Sequence, residues 1–141
     1  MIPLHQQVTS LELSKRLKEL GVKQEGAFYW QFPKPMESLP FNKRPFEERH
    51  DWFLTNSGNL DWCKEDIRCA AFTVAELGKI LPIGIYSGRG ANGRYFCDTD
   101  REDMGINVRN RLEFYEDTEA DARAKMLIHL IEKGLLDAKK I

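Results

Sequence analysis

The sequence lacks the features of a membrane or secreted protein. No apolar run approaches the roughly 18 residues that a membrane-spanning helix needs. Residues 1–7 have neither the basic start nor the apolar stretch of a signal peptide. We therefore expect a cytoplasmic protein without a membrane partner.

An excess of charge of one sign is also absent. The chain carries 21 Lys and Arg against 22 Asp and Glu, a net charge of -1. The total therefore indicates neither a strongly basic nucleic-acid binder nor an acidic mimic of DNA, and any electrostatic function must be local. The 141 residues, 42% of them hydrophobic, predict one domain spanning 1–141.

Cysteine is scarce, and the three cysteines have no paired spacing. They are Cys63, Cys69 and Cys97, an odd set that favours reduced thiols over a disulfide framework. These thiols and His50 contain the atoms for a zinc site or a cysteine nucleophile, but no spacing supports either. We expect no metal, no cofactor and no catalytic residues, and therefore no enzyme.

Two motif-like stretches also have simpler explanations. Residues 88–93 match G-x-G-x-x-G, but the strand pattern of residues 94–97 follows where a dinucleotide site needs a helix, so we predict a hairpin. Residues 98–103 begin like a calcium loop. Asp103 then occupies the glycine position and Arg109 the closing glutamate position, which predicts an acidic turn.

Three helices are predicted from their end signals. Thr9 with Glu12, and Thr73 with Glu76, have capping-box spacing, and Thr118 precedes a third helix that runs to Gly134. The third helix carries an apolar stripe with a period of 3.6 residues, made of Ala120, Ala124, Leu127, Ile128, Ile131 and Leu135.

Strand patterns lie between the helices. They cover 27–32, 83–86, 94–97 and an alternating stretch from 106 to 115. Together they predict an α+β fold in which an antiparallel sheet of three to five strands packs against about three helices. Residues 33–66 form a long segment rich in proline and aromatic residues, which we predict to be a loop that enters a short hairpin.

This long segment is the first candidate site. Nine of the fifteen aromatic residues lie between residues 28 and 62, beside several basic residues. Aromatic and Arg side chains dominate binding energy at protein interfaces. We predict a protein-docking surface made of Phe41, Lys43, Arg44, Phe46, Trp52 and Phe53.

A group of arginines is the alternative site. Five of the ten arginines lie between residues 89 and 111. Tyr95 and Tyr115 could lie near them, and a sheet with arginines and aromatic rings can bind single-stranded nucleic acid. The residues of this alternative are Arg89, Arg94, Arg109 and Arg111. The simpler interpretation is a solvated strand face neutralised by the acids of residues 98–103.

The runs 72–82 and 119–132 resemble a family of small phage and prophage proteins, most of them without an assigned function. Proteins of this kind include inhibitors of bacterial defence, and the chain is also similar to type II-A anti-CRISPR proteins. The resemblance implies an accessory protein in a bacterial host cell, bound to a host or defence protein such as a Cas nuclease. It supplies no catalytic motif.

Overall fold

The computed structural model describes residues 2–32, 52–56, 68–99 and 113–141. Within these ranges it has four α-helices, six β-strands and a short 3-10 helix, Ala138–Lys140. The helices are α1 Leu4–Gln7, α2 Leu11–Glu19, α3 Val74–Ile80 and α4 Glu119–Glu132. The strands are β1 Phe28–Gln31, β2 Phe53–Asn56, β3 Arg68–Ala71, β4 Ile85–Arg89, β5 Tyr95–Thr99 and β6 Glu113–Glu116. The predicted α+β class is confirmed.

The strands form two antiparallel sheets where the sequence predicted one. The first has the order β2-β1-β3 and the second β4-β5-β6, with three strands each. In the first sheet Phe28 of β1 lies opposite Asn56 of β2 and Ala71 of β3. In the second sheet Cys97 of β5 lies opposite Ser87 of β4 and Phe114 of β6.

Distant groups cap the outer edge of β3, which explains why the sheets are separate. Lys18 Nζ donates to the Arg68 carbonyl at 2.6 Å, and the Ala70 N–H donates to Gln24 Oε1 at 2.7 Å. These contacts satisfy backbone groups that would otherwise pair with another strand. The first sheet therefore ends at β3.

Helix α4 lies at the centre of the core. It packs against α2, α3 and the second sheet. Four residues of the predicted stripe are buried and Ile131 is half-buried; the four are Ala120, Ala124, Leu127 and Ile128. The prediction for Leu135 is wrong, because Leu135 is 52% exposed. The predicted stripe was too narrow because several elements cover α4, and it omitted three residues of α4 that are also buried: Ala122, Met126 and Leu130.

The predicted start of α2 is wrong by one residue. Ser10 is the N-cap, and its Oγ accepts from the Leu13 N–H at 3.4 Å. Thr9 is fully buried instead, and its Oγ1 accepts from the Phe72 N–H at 3.0 Å. Because this tertiary contact takes the Thr9 hydroxyl, the cap moves to Ser10.

The other predicted helix ends are confirmed. Thr73 and Glu76 form a reciprocal capping box at α3, and Thr118 Oγ1 accepts from the Asp121 N–H at 3.2 Å. Gly21 and Gly134 adopt positive φ values of 90° and 71° just beyond α2 and α4. A side chain is strained at such positions, so glycine ends both helices.

The glycine-rich stretch forms a hairpin between β4 and β5, as predicted. The Gly93 N–H donates to the Gly90 carbonyl at 3.0 Å, and the Gly90 N–H donates to the Arg94 carbonyl at 2.7 Å. Gly93 alone takes a positive φ here, of 82°, so the turn is a three-residue loop with a bulge. A strand follows the loop, so the helix that a dinucleotide site requires is missing.

Candidate functional site

Trp52 and Phe32 come together at the end of the first sheet. Gln31 pairs with Phe53 across β1 and β2, which places the next residues along, Phe32 and Trp52, opposite each other. Their ring centroids are 5.5 Å apart with an interplanar angle of 58°. Lys15 of α2 reaches the same place, with its Nζ 4.6 Å from the centroid of the Trp52 ring. Both aromatic residues and a cation therefore share one side of the sheet.

A second lysine borders Trp52. Lys18 lies three residues after Lys15 on α2, a spacing that puts both on one helix face. Its Nζ donates to the Arg68 carbonyl. The Arg68 side chain lies on the opposite face of the sheet, because Arg68 pairs with Gln31 and its guanidinium carbon is 5.8 Å from the centroid of Tyr29. We call the group on the first face the Trp52 surface; its members are Lys15, Lys18, Phe32 and Trp52.

The Trp52 surface borders a recess of about 440 Å³. Its lining residues are Lys15, Lys18, Glu19, Trp52, Arg68 and Cys69. Glu19 is also paired with Arg16, whose Nη1 lies 3.2 Å from the Glu19 carboxylate. Lys15 and Lys18 are therefore the basic side chains that the described part of the chain places on the Trp52 side of this recess.

The structure brings part of the predicted docking surface to this place. Trp52 belongs to it, but Phe53 does not, because side chains alternate along a strand and Phe53 points to the opposite face. The predictions for Phe41, Lys43, Arg44 and Phe46 lie outside the described residues. Sequence reasoning missed Lys15 and Lys18, although their three-residue spacing on α2 could have identified them.

The two described arginines of the alternative site do not share a face. Arg89 lies opposite Tyr95 on the side of the sheet that faces α4. Arg94 lies at the other face, where its Nη2 donates to the Tyr115 carbonyl at 3.3 Å and its Nε is 3.7 Å from Asp117 Oδ1. The remaining two, Arg109 and Arg111, lie outside the described residues. Asp117, the acid that pairs with Arg94, is not one of the acids of residues 98–103 that the sequence predicted as neutralising partners.

The two described cysteines are buried. Burial raises the pKa of Cys69 to about 11 and that of Cys97 to about 12. Because the thiolate is the nucleophile, both are weak nucleophiles near neutral pH. Cys63 and His50 lie outside the described residues. Within the described part of the chain, no three His, Cys, Asp or Glu side chains are grouped as metal ligands, and no helix is long and apolar enough to cross a membrane.

A second recess, of about 620 Å³, lies between α2 and α4. Its floor includes Phe114 and His129, whose ring centroids are 5.5 Å apart. The Arg16 guanidinium on its border contacts both Glu132, at 2.9 Å, and Glu19. These ion pairs leave the border without a clear excess of either charge.

No protein-family model, no curated protein and no solved structure matches the chain. The two recesses differ in their side chains. The Trp52 surface combines a half-buried tryptophan with two lysines, whereas the recess between α2 and α4 is lined by Phe114, Ile128 and ion-paired side chains. The Trp52 surface is the stronger candidate for binding a charged macromolecule.

Proposed function

We propose that the protein is a non-enzymatic binding protein that docks on an acidic region of a protein partner through the Trp52 surface. The position of Trp52 carries this proposal, because its ring contacts both Phe32 and Lys15, and Lys18 lines the same recess. A tryptophan held by its neighbours and bordered by basic side chains is typical of residues that dominate binding energy at protein interfaces. The cations would orient an acidic partner and accelerate its association.

The resemblance of residues 72–82 and 119–132 to phage accessory proteins suggests the kind of partner. In that proposal the protein is encoded by a phage or prophage and binds a bacterial host or defence factor. A Cas nuclease is the first partner to test. Because the net charge is only -1, such an inhibitor would not act as a polyacidic imitation of DNA; it would use a local basic surface.

Single-stranded nucleic acid is the second candidate partner, since stacking rings and cations also bind it. The Trp52 ring is less suited to stacking on a base, because Lys15 Nζ lies over it and Phe32 packs against it at a tilt. A protein partner needs only the exposed rim of the ring and the adjacent cations. The observed packing therefore favours protein.

The test compares variants in an affinity pull-down from bacterial lysate, with and without nuclease treatment, read by mass spectrometry. We expect a protein that the unaltered chain retains after nuclease treatment and that Trp52→Ala and Lys15→Glu both lose. Lys139→Glu is the matched control, since it makes the same charge change in the 3-10 helix near the end of the chain, and it should retain the partner.

Three outcomes contradict the proposal. Recovery of nucleic acid alone, lost on nuclease treatment, would move the function to nucleic-acid binding. A partner retained equally by all variants would exclude the Trp52 surface as its docking site. Failure to capture any protein specifically, when each variant keeps the circular dichroism of the unaltered chain, would count against protein docking itself.

A further inference from the structure

The hairpin loop between β4 and β5 contains an Asn-Gly pair that is open to solvent. Asn92 is followed directly by Gly93, and none of the other five asparagines of the chain precedes a glycine. Residues 91–94 are all exposed. Among the described residues, no atom lies within 4 Å of a Cβ placed on Gly93. Solvent therefore reaches the peptide that joins Asn92 to Gly93.

The loop holds the Asn92 side chain against its own backbone. Asn92 Oδ1 accepts a hydrogen bond from the Arg94 N–H at 3.1 Å. Asparagine makes this contact with the backbone two residues on by folding its side chain over the intervening peptide. The side-chain amide carbon, Cγ, is thereby directed toward the backbone of Gly93. The Arg94 N–H also contacts the oxygen that gains negative charge when a nucleophile adds to Cγ, and such a donor stabilises the addition.

The backbone nitrogen of Gly93 is the nearest nucleophile to this carbon along the chain. The φ of Gly93 is 82°, which glycine adopts without strain, and glycine has no Cβ to crowd its own nitrogen. The Gly93 N–H donates to the Gly90 carbonyl at 3.0 Å, and this bond has to open before the nitrogen can react. Because the bond lies in an exposed loop, it can open without separating the strands.

We propose that Asn92 is a deamidation site in the folded chain. In the first step the Gly93 nitrogen loses its proton to a base in solvent and bonds to Asn92 Cγ. The bond from Cγ to Nδ2 breaks, and Nδ2 takes up a proton and leaves as ammonia. The product is a five-membered succinimide ring. Water then opens the ring at Cγ to give aspartate, or at the backbone carbonyl carbon of residue 92 to give isoaspartate, whose main chain runs through the former side chain.

The two products differ in their effect on the hairpin. Aspartate keeps an oxygen that accepts from the Arg94 N–H and adds one negative charge. Isoaspartate lengthens the backbone between Ala91 and Gly93 by one atom. The loop is closed by the bond from Gly93 to Gly90 and by the bond from the Gly90 N–H to the Arg94 carbonyl at 2.7 Å. The longer backbone disturbs this closure, so the isoaspartate form should have a less stable hairpin end.

The test follows every asparagine of the full chain during incubation in mildly alkaline buffer. Peptide mapping by mass spectrometry detects each new acid, and an isoaspartyl methyltransferase distinguishes isoaspartate from aspartate. We expect Asn92 to react before the other asparagines, both in the folded chain and in the chain unfolded in guanidinium chloride. Because exposed loops open at little cost, the folded chain should react less than about tenfold more slowly at Asn92 than the unfolded chain. A larger protection, or earlier reaction at another asparagine, would overturn the proposal.

Variants connect the reaction to residue 92 and to its products. Asn92→Gln keeps a side-chain amide but has to close a six-membered ring, so we expect loss of ammonia at this position to become at least roughly tenfold slower. Asn56→Gln is the matched control, since it makes the same change in β2, and it should leave the rate at Asn92 unchanged. Asn92→Asp carries the charge of the aspartate product without the longer backbone, and it should keep the exchange protection of the Gly90 amide that the isoaspartate form loses in NMR. An unchanged rate in Asn92→Gln would refute the succinimide route.

Discussion

Replacing Asp121 tests how the N-termini of α2 and α4 are held together. Asp121 lies in the first turn of α4, and its Oδ1 accepts a hydrogen bond from the Ser10 N–H at 2.8 Å. Ser10 is the N-cap of α2, so this contact satisfies a backbone donor that the helix itself leaves free. The carboxylate also lies where the dipole of α4 favours a negative charge.

The two substitutions at this position should differ in size. Asp121→Ala removes the acceptor and leaves the Ser10 N–H without it, which costs about 1–3 kcal/mol of unfolding free energy. Asp121→Asn keeps an oxygen acceptor and loses only the charge, so we expect a change within about 1 kcal/mol, since the lost dipole interaction and the relieved burial of a charge oppose each other. Urea denaturation at neutral pH, followed by circular dichroism, measures both values.

The pH dependence gives an independent check. Burial raises the pKa of the Asp121 carboxyl above its ordinary value of 3.8, and the hydrogen bond from Ser10 only partly opposes this effect. The folded state therefore binds the proton more tightly than the unfolded state, and the resulting stabilisation is present at acid pH and lost as the pH rises. The stability of the Asn variant relative to the unaltered chain should thus increase from acid to neutral pH. A loss in the Asn variant as large as that in the Ala variant would refute this reasoning.

Three further predictions concern the interior. Gln31 is fully buried, and its side-chain amide has no hydrogen-bond partner among the described residues. We therefore expect Gln31→Met to raise the unfolding free energy, measured by urea denaturation, by roughly 1–2 kcal/mol. A decrease would contradict this account. Gly78 lies against Arg123, whose Nη1 would be 2.4 Å from an added Cβ. We expect Gly78→Ala to destabilise the unaltered chain more than it destabilises a chain that already carries Arg123→Met. A double-mutant cycle with zero coupling energy between the two positions would contradict this expectation. The raised pKa values of Cys69 and Cys97 predict that neither thiol reacts with a thiol reagent at mildly alkaline pH until denaturant is added. The reaction is measured in a Cys63→Ser variant, so that only these two thiols are present. Fast reaction of the folded chain would show that the thiols are accessible.

Local signals predicted much of the helical framework. The capping box at Thr73 and the glycines that end α2 and α4 depend on residues within a few positions of each other. Thr9 and Ser10 are both good capping residues, and a hydrogen bond to Phe72, 63 positions along the chain, decides between them. That contact has no signature near residue 9, so the sequence could not settle it.

The candidate site depended on contacts between distant segments. Trp52 was predicted as a docking residue from composition, but its neighbours Phe32 and Lys15 come from β1 and α2. The pairing of β1 with β2 brings them together, and the sequence pattern did not specify that pairing. The number of sheets was missed for a related reason, since Lys18 and Gln24 cap β3 from outside the strand pattern.

The central claim is that the cations of the Trp52 surface bind an acidic protein partner. Its most direct test is the affinity of the captured partner for the unaltered chain and for the variant Lys15→Glu with Lys18→Glu, measured by titration calorimetry at low and high salt. We predict that charge reversal weakens binding by at least about tenfold at low salt and that the difference narrows at high salt, because screening reduces the contribution of exposed charges. Equal affinities at low salt, in a variant that remains folded, would contradict the claim.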